Sequence, residues 1–87
     1  MLVACKVKLF PNNGNGPLVA DAYVNATHVG YIGPLDDDSY NALEDRPLAC
    51  EVRVDGHPSQ LLFSSKEEYD EFVEQVNQIC SCFIPRL

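Results

Sequence analysis

The chain has 87 residues, of which 46% are hydrophobic and 22% are charged, and its formal net charge is −7. A chain of this length buries about 64% of the surface that its unfolded form exposes, which is enough for one small core. The apolar fraction excludes a disordered chain, and no apolar run approaches the roughly 20 residues that a membrane-spanning helix needs. We therefore expect one folded domain, residues 1–87, that is soluble and cytoplasmic.

The first third of the chain has the pattern of a β-hairpin. Residues 2–10 alternate between apolar and polar side chains, which predicts a half-buried strand with Val3, Cys5, Val7 and Leu9 on the core side. Residues 11–17 hold two Asn-Gly pairs between two prolines and predict the connecting loop. Residues 18–26 then predict the returning strand, whose core side carries Leu18, Ala20, Ala22 and Val24.

A second hairpin is predicted after an acidic stretch. Residues 29–32 read as a short strand or an extended link, and residues 36–47 read as a loop with one helical turn. Residues 48–54 alternate again, residues 55–58 form the turn, and residues 59–63 return as a strand.

The C-terminal segment predicts an amphipathic helix. Ser65 is the expected N-cap and Glu68 completes a capping box with it, while apolar residues recur at spacings of three and four up to Phe83 and Pro85 ends the helix. The predicted fold class is therefore α+β: a small antiparallel sheet of about four strands, formed by two hairpins, with the C-terminal helix packed on one face.

Four cysteines and two histidines raise the question of a metal site or a reactive thiol. Zinc sites draw their ligands from close pairs such as Cys-x-x-Cys, whereas Cys80 and Cys82 form the only close pair and point apart on a helix. We expect the cysteines to be free thiols that pack as small apolar residues, with no metal and no other cofactor. A thiol or metal site at Cys80 and Cys82 remains an alternative.

The residues that would support catalysis or nucleotide binding are not arranged in a known pattern. His28 and His57 both lie in turn-like segments, and neither has a partner in the sequence that suggests an activated nucleophile. The run Asp36–Asp38 lacks the glycine and glutamate of a calcium loop, and no glycine-rich phosphate loop is present. We expect a protein that is not an enzyme.

Charge is segregated along the chain. Residues 1–35 carry two basic and one acidic residue, whereas residues 36–87 carry four basic and twelve acidic residues. A protein that binds DNA or RNA directly needs a basic patch, so we expect no direct contact with nucleic acid. An acidic surface instead attracts a basic one.

The leading hypothesis is a non-enzymatic protein-binding module. Its acidic surface would occupy a basic, nucleic-acid-binding groove of a larger host complex, in the way expected of a small inhibitor from a phage or mobile element. Tyrosines beside the acids, Tyr23 and Tyr31 among them, are candidate anchors. The predicted partner-binding residues are Asp36, Asp37, Asp38, Tyr40, Glu44, Asp45, Glu67, Glu71 and Glu74.

Self-association is the alternative from a different class. A small sheet has two edges, and little beyond Lys6 and Lys8 blocks pairing of the first strand with another chain. The alternative function is a structural domain that forms a homodimer through its sheet edges or its sheet face.

Overall fold

A computed structural model describes residues 2–10, 14, 16–38 and 45–79 of the chain. Within these ranges the chain forms a sheet, one α-helix and a short 3-10 helix at Ala26–His28. The strands are β1 (Leu2–Leu9), β2 (Leu18–Asn25), β3 (Val29–Ile32), β4 (Asp36–Asp37), β5 (Leu48–Val54) and β6 (His57–Phe63), and the helix is α1 (Lys66–Ile79).

The sheet is antiparallel and six-stranded, with the strand order β2-β1-β6-β5-β3 and with β4 also paired to β5. The predicted α+β class, with a helix packed on an antiparallel sheet, is confirmed, but the count of about four strands was too low. The two further strands are short: Tyr31 and Ile32 of β3 pair with Arg53 and Val52, and β4 pairs with Ala49 and Leu48. They form one interrupted edge along β5.

Helix α1 covers one face of the sheet with its apolar stripe. Tyr69, Phe72, Val73 and Val76 are buried. The Phe63 ring lies edge-on to Tyr69, with ring centroids 5.5 Å apart, and 5.7 Å from the Phe72 ring. Strand residues at alternating positions, such as Val3, Cys50, Val52 and Leu61, complete the core. The predicted inward faces of β1, β2 and β5 are therefore the faces that the helix covers, although Leu9 and Leu18 are exceptions.

The helix begins close to the predicted residue. Ser65 Oγ accepts a hydrogen bond from the Glu68 backbone N–H at 3.2 Å, which is half of the predicted capping box. The Glu68 carboxylate accepts instead from the Ser64 hydroxyl at 2.5 Å and from Arg46. The predicted helix end near Phe83 and Pro85 lies outside the described residues.

The turn between β5 and β6 has the predicted geometry. Asp55 and Gly56 have φ values of 53° and 81°, as a two-residue hairpin turn requires. Strand β6 begins at His57, earlier than the predicted residue 59, and it contains Pro58. The proline is tolerated because β1 pairs with β6 only at Leu61 and Leu62, so no neighbouring strand needs a donor at Pro58 on that side.

The β1–β2 hairpin is paired with its neighbour β6 over only a small part of its length. Its two strands pair along their whole length, from Leu2 with Asn25 to Leu9 with Leu18. Beyond Val7 no pairing with β6 is present among the described residues, and Leu9 and Leu18 are exposed there rather than facing the core as predicted. Within the described ranges, no helix has the length and apolar character needed to cross a membrane.

Candidate protein-binding surfaces

Every basic side chain in the described part of the chain has an acidic partner. The ion pairs are Lys6–Asp21, Lys8–Asp38, Arg46–Glu68, Arg53–Glu51 and Lys66–Asp70. The exposed acidic groups left outside these pairs are therefore the source of the excess negative charge.

One of these pairs is buried on the face of the sheet that α1 does not cover. Lys8 Nζ lies 2.5 Å from Asp38 Oδ2, and the two side chains are only 5% and 10% exposed. Gln60 Nε2 donates to the same carboxylate oxygen at 3.3 Å. Asp38, one of the predicted partner-binding residues, is therefore engaged inside the protein.

Side chains just before and just after residues 39–44 contact the strands of this sheet. Asp38 reaches Lys8 and Gln60, and Arg46 donates to the Leu62 carbonyl at 3.3 Å. Ala49 and Leu62, which point to the face that α1 does not cover, are each only 1% exposed. The centre of this face is therefore packed rather than open.

The acidic run after β3 does not form one continuous surface. Asp36 pairs with Ala49 and Asp37 with Leu48, so the two carboxylates point to opposite faces of the sheet. Both are exposed, as is Asp45, whereas Asp38 is engaged with Lys8. Tyr40 and Glu44, which were predicted to bind the same partner, lie outside the described residues.

The helix carries the most regular group of exposed acids. Glu67, Glu71 and Glu74 lie within about 60° of one another around the helix axis, at 3.6 residues per turn. All three are exposed, on the side opposite the buried stripe. We call these three residues the α1 stripe. Its neighbours Glu68 and Asp70 differ, because they pair with Arg46 and Lys66.

Glu68 has a shifted pKa because of its neighbours. Partial burial alone raises the pKa of this carboxyl group, but hydrogen bonds from Ser64 and the charge and hydrogen bond of Arg46 outweigh that effect. The net result is a pKa below the ordinary value of 4.5. Glu68 thus serves the fold by joining the start of α1 to the segment before β5.

The candidate tyrosine anchors differ in exposure. Tyr23 is 70% exposed on β2. Tyr31 is half-buried, and Arg53 lies over its ring with its guanidinium carbon 5.1 Å from the centroid. Tyr23 is therefore the more accessible of the two.

The described cysteines are in apolar surroundings. Burial raises the pKa of Cys5 to about 11, and burial followed by the charges of Asp36 and Cys5 raises that of Cys50 to about 12. Both thiols are thus protonated at neutral pH and poor nucleophiles. Cys80 and Cys82, the alternative thiol or metal site, lie outside the described residues.

The two histidines lie at the same end of the sheet. His28 Nδ1 lies 2.8 Å from Asp55 Oδ2, and the His28 carbonyl accepts from the Asp55 backbone N–H at 3.1 Å. These contacts fasten the start of β3 to the β5–β6 turn. His57 is exposed at the first position of β6. In the part of the chain that the structure describes, no three His, Cys, Asp or Glu side chains are placed to share a metal ion.

An apolar patch at the far end of the β1–β2 hairpin is the feature that the sequence analysis missed. Leu9, Phe10 and Leu18 are all exposed, Phe10 by 67%. A groove of about 590 Å³ opens beside Leu9 and Phe10, between the end of β1 and the start of β6, with Pro58 and Lys8 among its lining residues. The signal was present in Leu9 and Phe10, because two adjacent bulky apolar residues in a strand cannot both face one core.

No protein-family model, no curated protein and no solved structure matches this chain significantly.

Proposed function

We propose that this protein is a non-enzymatic binding module whose α1 stripe docks onto a basic surface of a larger protein. The observation that carries the proposal is the pairing of charges. Each described basic residue is neutralised by an acidic neighbour, while Glu67, Glu71 and Glu74 are exposed and have no ion-pair partner among the described residues.

The geometry of the α1 stripe suits this role. An α-helix packed on a sheet is a rigid support, so the backbone positions of the three glutamates keep fixed spacings and only their side chains have to be ordered on binding. They span about 10.5 Å along the helix axis at a rise of 1.5 Å per residue. Fixed charges of one sign steer a basic partner into place and speed association at low salt.

The spacing of negative charges along the α1 stripe can be compared with the spacing of phosphates in nucleic acid. One strand of DNA carries a charge about every 3.4 Å along its axis, whereas the stripe carries three charges over about 10.5 Å. The stripe thus spans about three phosphate-to-phosphate intervals, which hold four phosphates, and its three charges give a lower charge density. A basic groove that holds a nucleic acid strand is a suitable target, and occupation of that groove would inhibit nucleic-acid binding.

The first experiment is capture of the partner and its reconstitution. The tagged protein is used to retain proteins from lysates of its source and host cells at low and high salt, and the retained protein is purified. Its affinity for the native module is then measured in a salt series, alone and in competition with duplex DNA. The proposal expects a complex that weakens as salt rises and that DNA displaces.

Two charge-matched variants then locate the surface. Glu71→Lys with Glu74→Lys reverses two residues of the α1 stripe, and Asp36→Lys with Asp37→Lys makes the same change in net charge at the sheet edge. We expect the helix variant to weaken binding by more than about tenfold, or about 1.4 kcal/mol, and the edge variant to have a smaller effect. Equal affinities for all three proteins, each with a native circular dichroism spectrum, would rule out the α1 stripe as the binding surface.

A further inference from the structure

The two edges of the sheet differ in how well they are protected against pairing with another chain. The edge formed by β3 and β4 is short and irregular: its register shifts between Val29 and Tyr31, and Pro34 separates the two strands. A bulge, a proline and inward or flanking charges are the devices that keep sheet edges from pairing. Asp36 and Asp37 supply the charges on this edge.

The opposite edge, β2, has neither a bulge nor a proline. It runs for eight residues, LVADAYVN, without proline or glycine, and it pairs regularly with β1 along its whole length. Among the described residues it hydrogen-bonds to no strand on its other side, so alternate backbone N–H and C=O groups point outward. Its single formal charge, Asp21, is paired with Lys6 of β1.

We propose that β2 is a dimerisation edge, where a second copy of this chain adds its own β2 in antiparallel orientation to make one continuous sheet. An antiparallel pair of identical strands has a twofold axis perpendicular to the sheet, which makes the contact closed and self-complementary. It also keeps both α1 helices on the same side of the joined sheet.

The side-chain pattern of β2 selects one register for this contact. Because the twofold axis preserves the faces of the sheet, a residue can lie opposite only a residue that points to the same face. Two such registers give the longest overlap. One places Asp21 opposite Asp21 of the second copy, which is unfavourable because like charges face each other.

The other register places Ala22 opposite Ala22 and pairs residues 19–25 of each copy. In it, Tyr23 of each copy lies opposite Asp21 of the other. Tyr23 is 70% exposed in the single chain, and Asp21 is 82% exposed beside Lys6. The tyrosine ring would then cover an ion pair, a favourable position for both its hydroxyl group and its ring face.

Salt distinguishes this contact from the proposed partner complex. The copies carry a net charge of −7 each and repel one another, while the paired strands are almost neutral. Dimerisation should therefore strengthen as salt screens the repulsion, whereas docking of the α1 stripe onto a basic protein should weaken.

The first test is the mass of the purified full chain in solution. Sedimentation equilibrium from micromolar to millimolar concentrations, at low and high salt, should show a monomer and dimer in equilibrium, with more dimer at high salt. Amide exchange followed by NMR should show that outward N–H groups of β2 become protected as concentration rises. A constant monomer mass in every condition would overturn the proposal.

Two substitutions at Tyr23 test the register. Tyr23→Glu places two pairs of like charges across the interface and should weaken dimerisation by about tenfold or more, whereas Tyr23→Lys faces Asp21 and should keep the dimer. In a register with Tyr23 opposite Tyr23, both variants would weaken the dimer, because each would place two like charges opposite each other. Tyr23 is exposed, so both chains should remain folded, as thermal unfolding would verify.

The remaining outcomes also decide the question. A dimer that both variants leave unchanged does not form through β2, and a dimer that weakens with salt is held by opposite charges instead. A monomer whose β2 amides become protected only on adding another protein would show that this edge accepts a foreign strand, and it would overturn the second copy as the occupant.

Discussion

Removing the lysine of the buried Lys8–Asp38 pair should lower stability far more than removing the lysine of the exposed Lys6–Asp21 pair on the same strand. Replacing Lys8 with Met keeps the aliphatic part of the side chain and removes the charge. The Asp38 carboxylate, 10% exposed, then loses the Lys8 cation and keeps the amide of Gln60. Removing one partner of a buried ion pair costs about 3 to 5 kcal/mol, because the other charge stays buried and uncompensated.

That cost is large for a chain of this size. At about 0.05 to 0.15 kcal/mol per residue, 87 residues correspond to a total stability of roughly 4 to 13 kcal/mol. A small domain loses about 4 to 8 °C in melting temperature for each kcal/mol. Lys8→Met should therefore lower the melting temperature by at least about 12 °C.

Lys6 provides a matched control on the same strand. It lies two residues from Lys8, points to the same face and pairs with Asp21, but that carboxylate is 82% exposed. An exposed pair contributes about 0 to 1 kcal/mol, so Lys6→Met should change the melting temperature little. Urea and thermal unfolding followed by far-ultraviolet circular dichroism measure both variants, since the chain has no tryptophan.

A third variant separates lost charge from lost packing. Lys8→Met combined with Asp38→Leu removes both charges and should recover most of the stability that Lys8→Met loses. Equal decreases in melting temperature for Lys8→Met and Lys6→Met would refute the argument that burial determines how much stability is lost when an ion pair is broken. A double variant no more stable than Lys8→Met would mean that lost packing, not loss of the Lys8 charge beside Asp38, causes the loss of stability.

Two further predictions concern titratable groups. The folded-state pKa of Glu68 is lowered, so its stabilising effect should be present above pH 4.5 and lost as pH falls through the folded pKa. Urea midpoints of Glu68→Gln and the native protein should thus differ at pH 7 and converge in acid, and a gap that does not change with pH would contradict this. With Cys80 and Cys82 replaced by Ser, Cys5 and Cys50 should react with a thiol reagent only after unfolding, and rapid reaction in the native state would contradict their raised pKa values of about 11 and 12.

The parts of the fold that the sequence predicted are those with local signals. Alternating apolar residues define β1, β2 and β5 over several positions, and Asp55 with Gly56 specifies a turn that needs positive φ values. The helix has a cap, acids in its first turn and an apolar stripe. Each signal lies within one stretch of chain, so a single sequence reveals it.

The parts that escaped prediction depend on contacts between distant residues. Asp36 and Asp37 have low strand propensity, and they are extended because β5 offers them an unpaired edge. Lys8 and Asp38 are 30 positions apart, so nothing local shows that Asp38 is buried. The same holds for Leu9 and Leu18, which are exposed because β6 ends its pairing with β1 before reaching them.

The candidate surface was predictable only in part for a related reason. The positions of the acids in the sequence are enough to locate where they are concentrated, but not to tell which of them are neutralised by a basic side chain. Glu67, Glu71 and Glu74 can be placed on one helix face from spacing alone. The pairing of Glu68 with Arg46 and of Asp38 with Lys8 needs the folded chain, and it narrows the exposed acidic surface to fewer residues than the sequence suggested.

The two proposed surfaces also make a joint prediction. A twofold axis through the β2 edge leaves both α1 stripes on the same side of the sheet, so the dimer would present two stripes to one extended basic surface. Binding of the second stripe is then intramolecular, and avidity adds to the affinity of one stripe without any new contact. Tyr23→Glu, which leaves the stripe intact, should therefore weaken binding to an extended basic partner and reduce its salt dependence, yet leave the affinity for a single small basic site unchanged. If Tyr23→Glu weakened both equally, β2 itself would contact the partner, and the two surfaces would not be independent.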